Sequence, residues 1–404
     1  MKKKNERWTR PRHALVRNLL SITLGVYTRL KYRVKVEKYK EKERRQYLIL
    51  YNHQTAFDQN FVGMAFRGPI YYLASEDLFS NGFVSGLIKY LVAPIPIKKQ
   101  TTDLAAIRNC IKVAKEGGTI AIAPEGNRTY SGKTEYMSPA IASLARRLKL
   151  PIALYKIEGG YGVHPRWSDV VRRGRMHCYV SKVIEPEEYA DLSTEELAAV
   201  IERELYVNEG VADASFIHPR RAEYLERAVY YCPKCGLSEF RSDKSRISCQ
   251  RCGITAEYTE KKELVGVNCD FPYRFVTEWY DAQYNYINSI DTTVYTDEPL
   301  YTDTVRFSEV IPYKKKIKLE GAASISLYGD RIDLRGERTE LLLPFANLSA
   351  VSVLGKNKVN IYTDENKVYQ IKGDKRFNAL RYVNLYYRHH NIIKGDENVR
   401  FLGL

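Results

Sequence analysis

The sequence predicts three consecutive folded units: an α/β domain, a small module built around cysteines, and a mainly β domain that ends in a helix. Three observations predict this order. Buried-strand runs alternate with helical segments up to about residue 215, as in α/β sheets. Two Cys-x-x-Cys pairs follow within residues 228–256. Short β runs with turn signals then fill residues 304–371.

The positive charge of the chain is concentrated at its start. The net charge is +16, and residues 1–48, with 16 Lys and Arg against 4 Asp and Glu, account for +12 of it. Such a basic end indicates a polyanionic partner, either nucleic acid or an anionic membrane. Apolar residues recur with helical period over residues 15–30, so residues 1–30 are predicted to form an amphipathic membrane-associating helix. A helix packed on the protein's own core explains the pattern equally well.

The compartment is indicated by three further features of the sequence. The seven cysteines do not form a secreted disulfide framework, and the basic start is not followed by a secretory signal. No apolar run of about 18 residues predicts a membrane-spanning helix. We therefore expect a cytoplasmic protein, peripheral on the inner face of the membrane.

Residues 31–215 are predicted to form the α/β domain. The predicted strands are residues 47–51, 70–74, 119–123, 152–157 and 176–184, and the predicted helices begin near Ala56, Asp103, Ser138 and Ser193. Polar segments follow two of these strands at their ends, where α/β sheets place their sites.

The first polar segment contains His53 and Asp58. Five residues correspond to about 500° of helical rotation, so the two side chains could not meet within one helix. They can meet if His53 stays in the strand-to-helix turn and Asp58 lies a turn inside the helix. A carboxylate on one ring nitrogen would leave the other nitrogen to remove a proton from an alcohol. Taken alone, His53 is better explained as a structural histidine.

The second polar segment, from Pro124 to Thr129, follows the strand at residues 119–123. Gly126 allows a close approach of the backbone to a ligand, and Arg128 offers a planar fork for a phosphate. Glu125 could position Arg128 or a substrate hydroxyl. This segment alone is weak evidence for a binding site. Its position after the His53 segment makes the two segments together a specific signal.

These two segments resemble the signatures of the glycerophospholipid acyltransferase family, Asn-His-x4-Asp and Phe-Pro-Glu-Gly-Thr-Arg-Ser. The resemblance covers residues 13–210. It implies that His53 is the general base, that Asp58 orients it, and that a second set of residues binds the phosphate-bearing acceptor. That set is Glu125, Gly126, Asn127, Arg128 and Lys99, where Asn127 and Lys99 replace the family's usual Thr and Arg. Lys99 offers a point charge without a bidentate fork.

The cysteine module resembles a zinc ribbon. Its four thiolates, at tetrahedral spacing, suit one structural Zn²⁺ with a closed shell. The ligands are Cys232, Cys235, Cys249 and Cys252. Cys110, Cys178 and Cys269 are interpreted as core residues. The segment is only mildly basic, which argues against nucleic acid as the partner.

Residues 270–404 are predicted to form an aromatic helix followed by a pleckstrin-homology-like barrel of roughly seven strands, closed by a helix over residues 376–388. Two groups of basic residues stay open to interpretation. The sequence around His164 favours a role in a turn over a contact with substrate. Arg166 is interpreted as part of a solvated basic rim. The lysine run at residues 314–318 fits lipid head groups and a protected strand edge equally well.

The resemblance implies an acyltransferase that moves a fatty acyl group from acyl-CoA or acyl-carrier protein to the hydroxyl of 1-acyl-glycerol-3-phosphate. Glycerol 3-phosphate and other lysolipids are alternative acceptors. A non-catalytic lipid-binding scaffold is the rival class of function. No Gly-x-Ser-x-Gly elbow is found, which disfavours a serine lipase.

Overall fold

A computed structural model of the chain describes residues 7–41, 45–97, 103–212 and 214–396. The first part is an α/β domain, as the alternating pattern predicts. Its elements are α1 (Pro11–Tyr32), β1 (Val34–Val36), β2 (Leu48–Tyr51), α2 (Asp58–Ala65), β3 (Ile70–Ser75), α3 (Phe83–Val92), β4 (Ile95–Ile97), α4 (Leu104–Lys115), β5 (Thr119–Ile122), α5 (Ala140–Leu148), β6 (Ile152–Glu158), α6 (Gly160–Val163), β7 (Met176–Ile184), α7 (Pro186–Tyr189) and α8 (Thr194–Leu205).

The seven strands of this domain form one sheet in the order β1-β7-β6-β2-β5-β3-β4. Strand β2 lies near the centre and pairs in parallel with both β5 and β6, while β6 and β7 are antiparallel. Every residue of β2 and β5 is buried. Apolar runs without alternation are expected where both faces of a parallel sheet are covered.

Helix α1 packs on the domain with its polar side inward. Arg17 Nη2 donates a hydrogen bond to the carbonyl oxygen of Gly63 at 2.8 Å, and Thr28 is fully buried. The apolar stripe predicted from the sequence faces outward, with exposed fractions of 74% at Leu15, 62% at Leu19, 67% at Ile22, 54% at Val26 and 76% at Leu30. The helical period was correct, but the stripe does not pack on the described core.

The cysteine module consists of short antiparallel strands: β8 (Tyr231–Cys232), β9 (Gly236–Leu237), β10 (Phe240–Asp243), β11 (Arg246–Cys249), β12 (Thr255–Tyr258) and β13 (Leu264–Gly266). Strands β8 and β9 form a small ribbon, and β10 to β13 form a four-stranded sheet. Each Cys-x-x-Cys pair begins with the last residue of a strand, Cys232 of β8 or Cys249 of β11, and continues into the turn that follows.

The last part contains the expected aromatic helix, seven strands and a terminal helix. These are α9 (Val276–Ser289), β14 (Tyr301–Ile311), β15 (Lys315–Leu327), β16 (Arg331–Arg335), β17 (Glu340–Pro344), β18 (Leu348–Leu354), β19 (Lys358–Thr363), β20 (Val368–Lys372) and α10 (Leu380–Lys394). The strands form one antiparallel sheet in the order β17-β16-β15-β14-β20-β19-β18, curled into a half-barrel, which agrees in part with the predicted pleckstrin-homology-like barrel.

One hydrophobic core connects these parts. Trp279 of α9, Tyr258 of the cysteine module and Leu380 of α10 belong to the same buried cluster, which also includes Trp167 from the α/β domain. Trp167 and Tyr258 rings meet edge to face at 5.8 Å. The modules therefore support the loop between α6 and β7, which contains Trp167.

Helices α5 and α10 begin later than the sequence predicts. Helix α5 begins at Ala140, with Pro139 as the N-cap residue in place of Ser138. Helix α10 begins at Leu380 and not at residue 376, because the side-chain oxygen of Asn378 accepts the backbone N–H groups of Leu380 and Arg381. A side-chain acceptor at a helix start satisfies donors that the helix itself leaves unpaired.

Candidate active site

The candidate site lies where two neighbouring parallel strands end. The carboxyl ends of β2 and β5 meet at the same edge of the sheet, and His53 and Glu125 follow these two ends. The backbone N–H of His53 donates to Oε1 of Glu125 at 2.7 Å. The N–H of Thr129 returns a hydrogen bond to the carbonyl oxygen of His53 at 3.1 Å. The two polar segments predicted from the sequence are therefore joined directly.

His53 and Asp58 form a hydrogen-bonded pair, with 2.8 Å between Nδ1 and Oδ2. Asp58 is the first residue of α2, so its predicted position a full turn inside the helix was wrong. The turn that contains Thr55 brings the side chains of His53 and Asp58 together instead. Thr55 Oγ1 and the N–H of Gln54 donate to the Asp58 carboxylate at 2.6 and 2.7 Å. Asp58 is fully buried and fixed by several donors.

The pairing prepares His53 to act as a base. Burial lowers the pKa of His53 from its ordinary value of 6.5, and the hydrogen bond to Asp58 opposes that shift. The ring is then neutral at neutral pH. A proton on Nδ1, held by the carboxylate, leaves Nε2 with a lone pair for an incoming hydroxyl. The His53 side chain is 19% exposed, which leaves it accessible.

Asn52 fixes the start of the His53 turn, a role that the sequence analysis did not assign. Its amide donates to the carbonyl oxygen of Ile157 and accepts from the N–H of the same residue, both at 2.8 Å. These two hydrogen bonds fix the end of β2 to β6. The signal available in the sequence was a polar residue directly after a fully apolar strand.

Glu125 organises the backbone beneath the site. Its Oε2 accepts the N–H of Glu135 at 2.8 Å while Oε1 holds His53, and the residue is fully buried. Burial raises the pKa of Glu125 well above its ordinary value. Gly126 follows with a φ of +71°, in the left-handed region that favours glycine. The substrate contact implied for Glu125 stays a prediction.

Arg128 places positive charge beside His53. Its Nη1 is buried and finds no hydrogen-bond partner within the described ranges. Burial, followed by the nearby Arg166 guanidinium, lowers the pKa of Arg128 to about 10. Asn127 is buried and turned toward Arg166, with 3.4 Å between its Oδ1 and Arg166 Nη2. The predicted Lys99 lies outside the described residues.

Arg166 and His164 lie at the site and are buried, unlike the solvated rim that the sequence favoured for Arg166. Arg166 Nη1 donates to the carbonyl oxygen of Arg128 at 3.0 Å, and its guanidinium lies 4.3 Å from the centre of the Tyr130 ring. His164 Nδ1 contacts the hydroxyl of Tyr32 at 3.0 Å. Burial, then nearby cations, lower the pKa of His164 to about 3, so the ring is neutral.

The second candidate site is the cysteine cluster. The Sγ atoms of its four cysteines all lie within 4.8 Å of one another, and Sγ of Cys232 is 3.6 Å from Sγ of Cys252. Tetrahedral zinc with Zn–S bonds of about 2.3 Å separates its sulfur ligands by about 3.8 Å. The cluster formed by Cys232, Cys235, Cys249 and Cys252 can therefore hold a metal ion. Cys269 lies outside it, and Cys110 and Cys178 are fully buried, as predicted.

Comparisons with known proteins give a family match over the α/β domain. Residues 33–154 match the Acyltransferase family model. A 1-acyl-sn-glycerol-3-phosphate acyltransferase of Bacillus subtilis (strain 168) is 25% identical over 134 residues, which cover 33% of this chain. The match spans 64% of that relative, so the chain covers less than two thirds of its length.

Two solved structures are also similar to parts of the chain. The crystal structure of the 1-acyl-sn-glycerophosphate (LPA) acyltransferase, PlsC, from Thermotoga maritima is 21% identical, with a TM-score of 0.40, covering 48% of this chain and 80% of that one. The solution structure of the N-terminal PH domain of human ARAP2 is 14% identical, with a TM-score of 0.19, covering 25% of this chain and 90% of that one.

Proposed function

We propose that this protein, which belongs to the acyltransferase family through residues 33–154, transfers a fatty acyl group from a thioester donor to the hydroxyl of 1-acyl-glycerol-3-phosphate. The observation that carries the proposal is the 2.8 Å hydrogen bond between His53 and Asp58 at the strand ends. The relative from Bacillus subtilis bears the name of the same activity.

The reaction needs one base that later returns its proton. Nε2 of His53 removes the proton of the acceptor hydroxyl as the oxygen attacks the thioester carbonyl. The tetrahedral intermediate then collapses, the C–S bond breaks, and the imidazolium protonates the leaving thiolate. An ester and a thiol result, and His53 is neutral again. Asp58 stabilises the imidazolium that forms between these steps.

The phosphate of the acceptor is proposed to lie against Arg128, whose Nη1 is buried without a partner in the described chain. A buried guanidinium with an unpaired N–H is stabilised by a phosphate, which accepts charge-assisted hydrogen bonds. Gly126, Asn127 and Lys99 are proposed to line the same site. Glycerol 3-phosphate, which carries the same phosphate, is the alternative acceptor, and the donor is proposed to be acyl-CoA or acyl-carrier protein.

The exposed stripe of α1 is proposed to contact the membrane surface. Helix α3 adds apolar side chains nearby, with 85% of Phe83 and 58% of Tyr90 exposed. Arg12 of α1 joins the two helices through a hydrogen bond of 2.9 Å to the carbonyl oxygen of Tyr90. None of the helices in the described ranges combines the length and apolar character that a bilayer crossing requires. The proposed attachment is peripheral, on the inner face of an anionic membrane.

The cysteine cluster is proposed to hold one structural Zn²⁺. Four protein thiolates complete a tetrahedral shell, so no position is left for a substrate. The cluster lies in the module that shares a core with Trp167 and α9. Metal binding would therefore stabilise the parts that support the loop between α6 and β7.

The direct test is an assay of purified protein with labelled acyl donors. Acyl-CoA and acyl-carrier protein are each offered with 1-acyl-glycerol-3-phosphate, glycerol 3-phosphate, a lysophosphatidylcholine and a monoacylglycerol. We expect phosphatidic acid from the first acceptor, and a rate of product formation lower by about 10²–10⁴ with His53→Ala. The His177→Ala variant changes a half-exposed histidine of β7 and serves as the matched control. Failure to acylate any acceptor, with protein that is folded, would refute the enzyme and favour a lipid-binding scaffold.

A further inference from the structure

The turn between β18 and β19 reaches the candidate active site from the C-terminal half-barrel. The carbonyl oxygen of Gly355 in this turn accepts a hydrogen bond from Arg166 Nε at 3.2 Å. The same guanidinium donates to the carbonyl oxygen of Arg128 and contacts Asn127. One buried arginine therefore connects the β18–β19 turn to the segment that follows β5.

Lys356, the next residue of the turn, places a cation of the C-terminal half-barrel near the candidate active site. Its Nζ donates to Oδ1 of Asp169 at 2.9 Å and to the carbonyl oxygen of Ser168. Asp169 is shared, because Arg227 Nη1 also donates to its Oδ1 at 2.9 Å. The Lys356 side chain keeps 25% of its surface exposed.

The positive charges here exceed the negative ones. Arg128, Arg166, Lys356 and Arg227 share this place with two carboxylates, because Arg128 also lies near Asp58, while Asp169 is bonded to both Arg227 and Lys356. The nearby Arg128 contributes to lowering the pKa of Lys356, after burial. Packing like charges in a partly desolvated place is unfavourable unless an anion completes it. The buried, unpartnered Nη1 of Arg128 shows where such an anion would gain a hydrogen bond.

We propose that Lys356 is a phosphate ligand of the active site, so that the C-terminal half-barrel completes a site that the α/β domain leaves open. The inference rests on the proposed function for the identity of the substrate, but not for the presence of the anion site. The shared chemistry is a phosphate monoester. It can come from the glycerol phosphate of the acceptor or from the 3′-phosphate of coenzyme A.

The alternative is that Lys356 only anchors the half-barrel through Asp169. Ligand binding to the full-length protein separates the two roles. We would titrate glycerol 3-phosphate, which represents the acceptor, and adenosine 3′,5′-bisphosphate, which represents the donor, by calorimetry. The proteins are the unmodified chain, Lys356→Met, Lys356→Arg and Lys367→Met. Lys367 lies in the β19–β20 turn, pairs with Glu365 on the surface and is the matched control.

We expect Lys356→Met to bind glycerol 3-phosphate about tenfold more weakly, which corresponds to one lost charge-assisted hydrogen bond. Lys356→Arg should restore part of the affinity, and Lys367→Met should bind normally. Loss confined to the bisphosphate would support the same site with the donor as the source. Unchanged binding of both ligands by Lys356→Met, or no binding by the unmodified chain at millimolar concentration, would overturn the proposal.

A measurement without any variant covers the case in which Lys356→Met does not fold. Amine-reactive labelling of the unmodified protein, followed by mass spectrometry, should show Lys356 protected at least severalfold by glycerol 3-phosphate or by the bisphosphate. Lys367 should label equally with and without either ligand. Equal labelling of Lys356 in all conditions would contradict the proposal. Because neither measurement needs turnover, absence of acyl transfer would refute the enzyme without deciding the anion site.

Discussion

Oε1 of Glu125 accepts a hydrogen bond from the backbone N–H of His53 at 2.7 Å, and Oε2 accepts one from the N–H of Glu135 at 2.8 Å. A carboxylate can accept both bonds, whereas an amide can accept only one and must turn its NH₂ toward the other donor. Glu125 therefore couples the position of the proposed base to the turn after β5. This coupling suggests the first test.

Glu125→Gln should displace one of the two turns and lower activity by about ten- to a hundredfold. The lost acceptor leaves a buried N–H unpaired, which costs about 1–3 kcal/mol of unfolding free energy. Acyl transfer and denaturant unfolding measure the two effects. Glu365→Gln, at a glutamate whose side chain is 75% exposed, is the control. A fully active and stable Glu125→Gln protein would show that the coupling is unimportant.

His53→Ala should lower kcat by about 10²–10⁴, since it removes the proposed general base. Asp58→Asn should lose most of the activity, because an amide neither fixes the Nδ1–H tautomer nor stabilises the imidazolium. Steady-state kinetics measures both, with circular dichroism to confirm folding. His177→Ala should behave as the unmodified protein. Near-normal turnover by His53→Ala would refute the proposed mechanism.

The pH dependence of kcat/KM should report the lowered pKa of His53. The base must be neutral, so activity is retained above the pKa of His53 and is lost as the pH falls through it. Burial lowers this pKa, and the acidic limb should therefore lie below pH 6.5. Asp58→Asn removes the carboxylate that favours the charged ring and should move the limb to still lower pH. An acidic limb above pH 7 would assign the ionisation to another group.

Charge in the apolar stripe of α1 should release the protein from anionic liposomes. Leu19→Glu and Leu30→Glu each place a carboxylate at an exposed apolar position, which should weaken binding severalfold and more strongly at high salt. Liposome flotation measures the bound fraction. Leu342→Glu changes a leucine that is 61% exposed in the half-barrel and is the matched control. Equal flotation of all variants would place the attachment elsewhere.

Metal analysis of gently purified protein should find about one zinc per chain. Cys249→Ser should remove the metal and lower the unfolding temperature, because metal binding contributes to folding free energy in such modules. The matched control is Cys269→Ser, whose thiol donates to the carbonyl oxygen of Thr255 outside the cluster. Zinc-free protein with normal stability would refute the structural metal. Residual acyl transfer by a folded Cys249→Ser protein should persist, since the chemistry does not use the ion.

Much of the α/β domain could be predicted from local patterns. The strand at Met176–Ile184 has the predicted bounds, and the helix predicted near Ser193 is α8, which begins there with a capping box. Helix α3 was not predicted. Its segment, FVSGLIKYLV, is almost entirely apolar, so the alternation of apolar and polar residues that identifies most surface helices is missing there.

The site could be predicted only where its residues lie near strand ends in sequence. His53, Asp58 and Arg128 followed from that rule and from the family resemblance. Lys356 could not be found in this way, because it lies in an ordinary turn more than 200 residues from Arg128. Its place depends on how the half-barrel packs, which local sequence does not encode. The inward polar face of α1 was missed for the same reason.

The hydroxyl of Tyr32, the last residue of α1, lies 3.0 Å from Nδ1 of His164, and Arg128 lies near the same hydroxyl. The proposed membrane helix therefore ends close to Arg128, where the phosphate is proposed to bind. An acceptor held in the same leaflet would need little or no transfer into water before it meets His53. The rate should then follow the mole fraction of the lysolipid within the surface, and adding inert lipid at constant total lysolipid should slow turnover by surface dilution.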